Sequence, residues 1–152
     1  MVEDLLELAD HLARREAGKP RQISLRRAVS TAYYALFHAL AALCADKLIG
    51  WSKPWEAFTP IYRSLDHSVA KKLFEKGRSG RTFGPAVADI GRTFILLQQA
   101  RHTADYDPEP FRYGRKVTFD LITEAREAVR AIMALPPRTK LLLAAHLIAR
   151  PR

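Results

Sequence analysis

An arginine stands where an apolar stripe asks for another hydrophobe. Val87, Ile90, Phe94 and Leu97 recur at helical spacing, and the next position on that stripe is Arg101. An unpaired guanidinium is costly to bury, so Arg101 requires a partner, and Asp105 follows one helical turn later. Two chemistries fit this spacing. In one, Arg101 and Asp105 form a structural ion pair. In the other, the planar guanidinium points into a cleft or a dimer seam, where its fork of donors matches the oxygens of a phosphate. A second polar stripe lies earlier in the chain. Leu25, Val29, Tyr33, Leu36, Phe37, Leu40 and Leu43 share one broad apolar face of a helical pattern. The opposite side carries alanines interrupted by Arg27, Ser30, Thr31, Tyr34 and His38, each three or four residues from another member. A solvent face would be richer in Lys and Glu, so this stripe reads as a partly buried seam. Its Tyr34 and His38 either close a core edge or face a ligand.

The elements that must carry these residues are helices. A first helix from about Glu3 to Ala17 places Leu5, Leu8 and Leu12 on one face and stops at Gly18, ahead of Pro20. Ser24 is the expected N-cap of a long second helix that runs to Leu48 and ends at Gly50. Trp51 to Pro54 reads as a loop, and a third helix lies between Pro60 and Lys76. The stretch Gly77-Arg78-Ser79-Gly80-Arg81-Thr82-Phe83-Gly84 reads as a basic loop, without the Gly-Lys-Ser/Thr ending of a phosphate-cradling P-loop. Pro85 suits the first turn of a fourth helix reaching Asp105, which Asp107-Pro108-Glu109-Pro110 terminates. Thr118 is the expected cap of a fifth helix through Leu135, and Pro136-Pro137 separates it from a short sixth helix at about 139–148. No strand-like alternation is sustained. The expected fold is therefore all-α, an antiparallel bundle of five to six helices forming one domain over residues 1–152. The short apolar helix at the end needs cover, either from the bundle or from a dimer interface.

Composition narrows the functional classes. Hydrophobic residues at 48% and charged residues at 27% are ordinary for a globular domain and argue against a disordered or fibrous chain. Glu3 and Asp4 stand where an export signal would be basic, and the apolar run from Leu141 is far short of the ~20 residues of a membrane span. A cytoplasmic protein is expected. The lone Cys44 excludes an internal disulfide, and His11, His38, His67, His102 and His146 lack ligand spacing, so neither a metal nor another cofactor is expected. Lys and Arg number 25 against 16 Asp and Glu, a net charge of +9 that attracts polyanions. The basic residues gather at Arg14, Arg15, Lys19, Arg21, Arg26 and Arg27, and again at Lys71, Lys72, Lys76, Arg78 and Arg81. No helix-turn-helix spacing accompanies them, which ranks a DNA-binding regulator last.

The segment Arg27-Ala28-Val29-Ser30-Thr31-Ala32-Tyr33-Tyr34-Ala35-Leu36-Phe37-His38-Ala39 resembles the second-helix signature of prokaryotic HEPN-domain proteins, with its Tyr-Tyr-Ala-x-Phe-His string. Arg101-His102-Thr103-Ala104-Asp105-Tyr106-Asp107 is similar to the Arg-x-x-Ala-Asp-Tyr string that closes a helix in the same group. The resemblance extends from about Met1 to Leu135 and leaves out the final helix. It implies a helical bundle that forms a homodimer through the face carrying both motifs. It also implies RNA as the ligand and, in many relatives, metal-independent endoribonuclease activity of the toxin type, with an antitoxin or a nucleotidyltransferase as partner. In such enzymes an Arg followed four to six residues later by His meets its counterpart across the dimer cleft. Here Arg101 matches the arginine, but Tyr106 stands where the histidine is expected, and His102 is expected to point elsewhere on the helix.

That departure has a cost. An imidazole titrates near ~6.5 and a phenol near ~10, a gap worth roughly 5 kcal/mol if a phenol is to act as base at neutral pH. General acid-base help contributes about 10²- to 10⁴-fold, so a chain lacking the histidine can keep binding while cleavage becomes slow or absent. Tyr106 retains the ability to donate a hydrogen bond to phosphate or to stack on a base. Arg101 and Tyr106 are thus the candidate catalytic residues, with Arg27, Ser30, Tyr34, His38 and Asp105 as candidate binding residues. His38 is the one histidine placed to substitute. The competing reading is a non-catalytic dimer that binds RNA, nucleotide or a partner protein.

Overall fold

The computed structural model describes residues 1–75 and 79–149. Among these the protein is all-helical, with eight helices and no strand: α1 (Val2–Arg14), α2 (Gln22–Leu48), α3 (Trp55–Ser64), α4 (His67–Glu75), α5 (Ser79–Phe83), α6 (Pro85–Tyr106), α7 (Arg115–Ala134) and α8 (Pro137–Ile148). The chain divides into two compact units. The first comprises Met1–Leu36 and Thr93–Val129, the second Phe37–Arg92 and Arg130–Arg152.

The first unit is built from α1, the N-terminal half of α2, the C-terminal half of α6 and most of α7. Its core contains Leu6, Val29, Tyr33, Leu36, Phe94, Leu97 and Ile122, each with almost no exposed surface. On α1 the buried face is Leu6, Ala9 and Ala13, whereas Leu8, expected inside, is exposed. Three charged side chains fasten the helix ends. Arg126 on α7 reaches Glu3 at 2.8 Å and Asp10 at 2.7 Å on α1. Arg115 donates to the carbonyl of Ala13 at the end of α1 and to those of Glu16 and Gly18 in the segment that follows. Arg26 does the same at the end of α6, as described below.

Two expected caps are corrected. Ser24 lies inside α2, buried, and donates its hydroxyl to Glu16 at 2.8 Å, while the Arg21 carbonyl already accepts from Ser24 N and Leu25 N. The helix therefore begins about a turn before Ser24. Thr118 is likewise inside α7, its hydroxyl donating back to the Gly114 carbonyl at 3.0 Å, a bond that competes with a capping role.

The second unit holds the rest of α2 and α6, the end of α7, and α3, α4, α5 and α8. The single helix expected between Pro60 and Lys76 is two helices. Asp66 breaks it: its carboxylate accepts from the Ser68 hydroxyl at 2.5 Å, which with Ser68 N at 2.7 Å and Val69 N at 3.2 Å holds the Asp66 pKa below the usual carboxylate range, and the two amides make it the cap of α4. Part of the expected Gly77–Gly84 loop is helical as α5, while Lys76, Gly77 and Arg78 lie outside the described residues. Gly50 terminates α2 with φ +95°, a conformation few other residues adopt readily. Gly91 permits close packing of another kind: a Cβ there would stand 2.7 Å from the Phe74 ring.

One face of the apolar α8 is covered within this unit, while Leu141 and Leu142 stay exposed. Leu143, Ala144 and Leu147 are buried, and the helix packs on α4 and α5. Cys44 is fully buried beside the Ala144 carbonyl, and burial pushes its thiol up to about 12. By length and composition α2 is apolar enough to cross a membrane, yet 67% of its most apolar window is buried inside the protein, where a core helix belongs. Its alanines explain this. Ala28, Ala32, Ala35, Ala41 and Ala45 are buried as fully as the leucines, and the exposed large apolar side chains of α2, Ile23 and Leu48, stand near its two ends.

Candidate phosphate-binding site

The stripe of Val87, Ile90, Phe94 and Leu97 is a buried face of α6, and Arg101 follows at its C-terminal end, in the first unit. The Arg101 side chain is 16% exposed and Asp105 17%, so the pair sits at the border between core and solvent. Arg101 Nε donates to Asp105 Oδ2 at 2.9 Å, across the i,i+4 spacing read from the sequence. One Nη nitrogen donates to the Tyr34 hydroxyl at 2.9 Å and, more weakly, to the Tyr106 hydroxyl at 3.5 Å. The guanidinium lies 5.4 to 5.6 Å from the ring centres of Tyr33, Tyr34 and Tyr106, within cation–π range. Ser30, buried on α2, donates its hydroxyl to the other Asp105 oxygen.

The structural ion pair therefore exists, and it leaves capacity over. Among the described residues the second Nη nitrogen of Arg101 has no protein acceptor within hydrogen-bond distance. Burial disfavours the Arg101 charge, but the Tyr34 and Tyr106 hydroxyls and the Asp105 carboxylate outweigh it and hold Arg101 above its ordinary range.

These groups line an open depression of about 420 Å³, bounded by Ile23, Arg26, Arg27, Tyr34, Arg101, Ala104, Asp105 and Tyr106. Three arginines thus line one hollow that contains a single carboxylate, and that carboxylate is already engaged by Arg101 and Ser30. The hollow suits a small anion.

Arg26 was read from sequence as one member of a basic cluster, and the structure gives it a specific task. Its guanidinium donates to the carbonyls of Thr103, Ala104, Asp107 and Glu109, at 3.2, 3.0, 2.8 and 2.5 Å, and lies 5.0 Å from the Phe111 ring centre. It therefore satisfies the end of α6 and fixes the following loop, which carries Asp107. Gln22 helps from one turn away by accepting from Phe111 N at 3.0 Å. Only the basic character of Arg26 hinted at this role, because its partners are backbone atoms 77 to 83 residues distant.

Of the residues singled out from sequence, Ser30, Tyr34, Arg101, Asp105 and Tyr106 form one connected network, and Arg27, exposed, lines the same hollow. His102, adjacent to Arg101 and expected to point elsewhere on the helix, is not among the residues lining the hollow; its ring centre lies 5.2 Å from that of Tyr106, one helical turn on. Thr31 is absorbed locally, donating to the Arg27 carbonyl at 2.7 Å. His38 belongs to the second unit, where Nδ1 lies 2.7 Å from the Tyr62 hydroxyl and the two rings stack. Burial lowers the His38 pKa and raises that of Tyr62, so both are neutral near pH 7. Among the described residues no three His, Cys, Asp or Glu side chains gather in a metal-binding group. Comparison with protein-family models, with curated proteins and with solved structures returns no match to this chain.

Proposed function

We propose that this chain is an RNA-directed protein of the HEPN type, acting as a homodimer, in which the Arg101 hollow holds a phosphate of the RNA backbone. The observation that carries this reading is the spare guanidinium edge of Arg101, braced by Asp105 and two phenols and set beside Arg27 in a hollow with no uncommitted carboxylate. A braced arginine loses little conformational freedom when it meets an anion, and its remaining N–H donors match phosphate oxygens. The +9 net charge supplies long-range attraction for a polyanion. The HEPN-like bundle and the homodimer rest on the resemblance of the two motif strings, as does an antitoxin or nucleotidyltransferase partner.

Metal-independent cleavage is a second reading, favoured by the His102 ring beside Tyr106. In it the ribose 2′-hydroxyl attacks the adjacent phosphorus and gives up its proton, the bond to the 5′-oxygen breaks, and that oxygen takes a proton. Arg101 would stabilise the charge on the non-bridging oxygens, with Tyr106 and His102 as the nearby proton carriers. Binding is the stronger reading, since Tyr106 is a phenol where an imidazole would serve.

Both are tested by incubating the full chain with single-stranded and structured RNA in excess EDTA, measuring affinity and cleavage together. Arg101→Ala is expected to weaken binding by about tenfold or more, which corresponds to ~1.4 kcal/mol. Unchanged affinity in that variant overturns the site. Cleavage by the wild type that is lost in Arg101→Ala and Tyr106→Phe promotes the ribonuclease reading.

A further inference from the structure

The second unit carries a feature the hollow does not use. Trp51 and Trp55 are 60% and 65% exposed, large areas for the residue type most often placed in cores and interfaces. Local contacts position them. Gly50 turns the chain out of α2, Lys53 N donates to the Gly50 carbonyl at 3.2 Å, and Pro54 precedes the first turn of α3. Phe58, buried, supports both indoles from beneath, with ring centres 4.5 Å from Trp51 and 5.3 Å from Trp55. The two indoles stand edge to face, 6.3 Å apart.

Lys53 lies between them in sequence, exposed and without an ion pair among the described residues. Over residues 50–63 the two cations Lys53 and Arg63 outnumber the one acid, Glu56. Supported aromatic faces with an uncommitted cation at hand match the chemistry of an unstacked base joined to a phosphate. A folded protein partner would more typically demand a wider apolar surface than this turn provides.

We propose that Trp51, Lys53 and Trp55 form a stacking site for single-stranded RNA, with a base on an indole face and the neighbouring phosphate on Lys53. The site stands on the second unit's own geometry and does not need the Arg101 hollow.

Trp51 and Trp55 are the chain's two tryptophans, so indole emission reports this site alone. A short single-stranded RNA of mixed sequence, titrated into the full chain, is expected to quench that emission saturably, in the wild type and in Arg101→Ala alike. A Trp51→Leu/Trp55→Leu variant with unchanged helicity by circular dichroism should bind labelled RNA about tenfold more weakly. A ribose-phosphate oligomer lacking bases should not quench. The proposal is overturned by emission that RNA leaves unchanged at concentrations saturating the labelled-RNA assay, or by equal quenching from the abasic oligomer. It is also overturned by a response to phosphatidylcholine–phosphatidylglycerol vesicles with none to RNA, or by emission that changes only with self-association. Quenching that persists while Arg101→Ala leaves affinity untouched would sink the hollow and keep this site.

Discussion

α2 supplies polar side chains to both units, and the two clusters they enter are chemically opposite. In the first unit Ser30 and Tyr34 meet a full positive and a full negative charge, Arg101 and Asp105, at the rim of an open hollow. In the second, His38 meets a phenol and aromatic rings, and burial keeps imidazole and phenol uncharged. Four residues separate Tyr34 from His38, yet one belongs to a charged network with an unused donor and the other to a neutral pair. The type of a polar residue did not decide this. The partner brought by another helix did: an arginine from α6 in one case, a tyrosine from α3 in the other.

The contrast can be broken at the residues that maintain it. The largest effect on stability is expected from Arg26→Ala, which strips four carbonyls of a charged donor and should cost about 2 to 4 kcal/mol in urea unfolding. The same variant should weaken RNA binding, because the end of α6 that carries Arg101 and Tyr106 loses its clamp. If stability is unchanged, the carbonyl contacts are incidental. In the second unit the sensitive point is packing instead of charge. Gly91→Ala sets a methyl against the Phe74 ring and should cost about 1 to 3 kcal/mol, read as a lowered melting temperature. A neutral result would mean that α4 yields.

Ser30→Ala removes one donor from Asp105 and should cost roughly 1 kcal/mol. A double-mutant cycle with Asp105→Asn would show whether the two act as one network, and additive losses would say that they do not. The smallest effect separates the clusters by pH. Burial lowers the His38 pKa, so the folded state takes up its proton less readily than the unfolded chain. The associated stability is present above about 6.5 and is lost as pH falls through the lower folded value. His38→Gln should therefore show a shallower loss of stability on acidification than the wild type. Arg101 stays charged throughout that window, and its contribution should not change. Parallel pH profiles for His38→Gln and wild type would remove His38 as the cause.

Where a signal was local, the sequence was readable. The stripe from Val87 to Leu97, with Arg101 and Asp105 one turn apart, is visible in single-chain periodicity, and α6 begins at Pro85 as its proline suggests. The seam on α2 was legible as polar and partly buried, and Ser30, Thr31, Tyr34 and His38 are so, while Arg27 is exposed. What could not be read depends on long-range partners. Ser24 looked like a cap because its type favours that role, but Glu16 claims its hydroxyl. The break between α3 and α4 is hard to read because Asp66 sits within a continuous helical pattern, and only its carboxylate meeting the next amides marks it as a cap. Arg26 could not be told from its basic neighbours, since only the folded chain brings four distant carbonyls to it.

Cys44 offers a clock for motions of the second unit. It is the chain's single thiol, fully buried and pushed up to about 12, so the closed form presents almost no thiolate to a reagent at neutral pH. Labelling must wait for the surrounding helices to open, and its rate then measures how often they do. The protein thus carries a native reporter of local opening, read by mass spectrometry without added probes. Gly91→Ala should make that clock run faster, and changes confined to the Arg101 hollow should leave its pace alone.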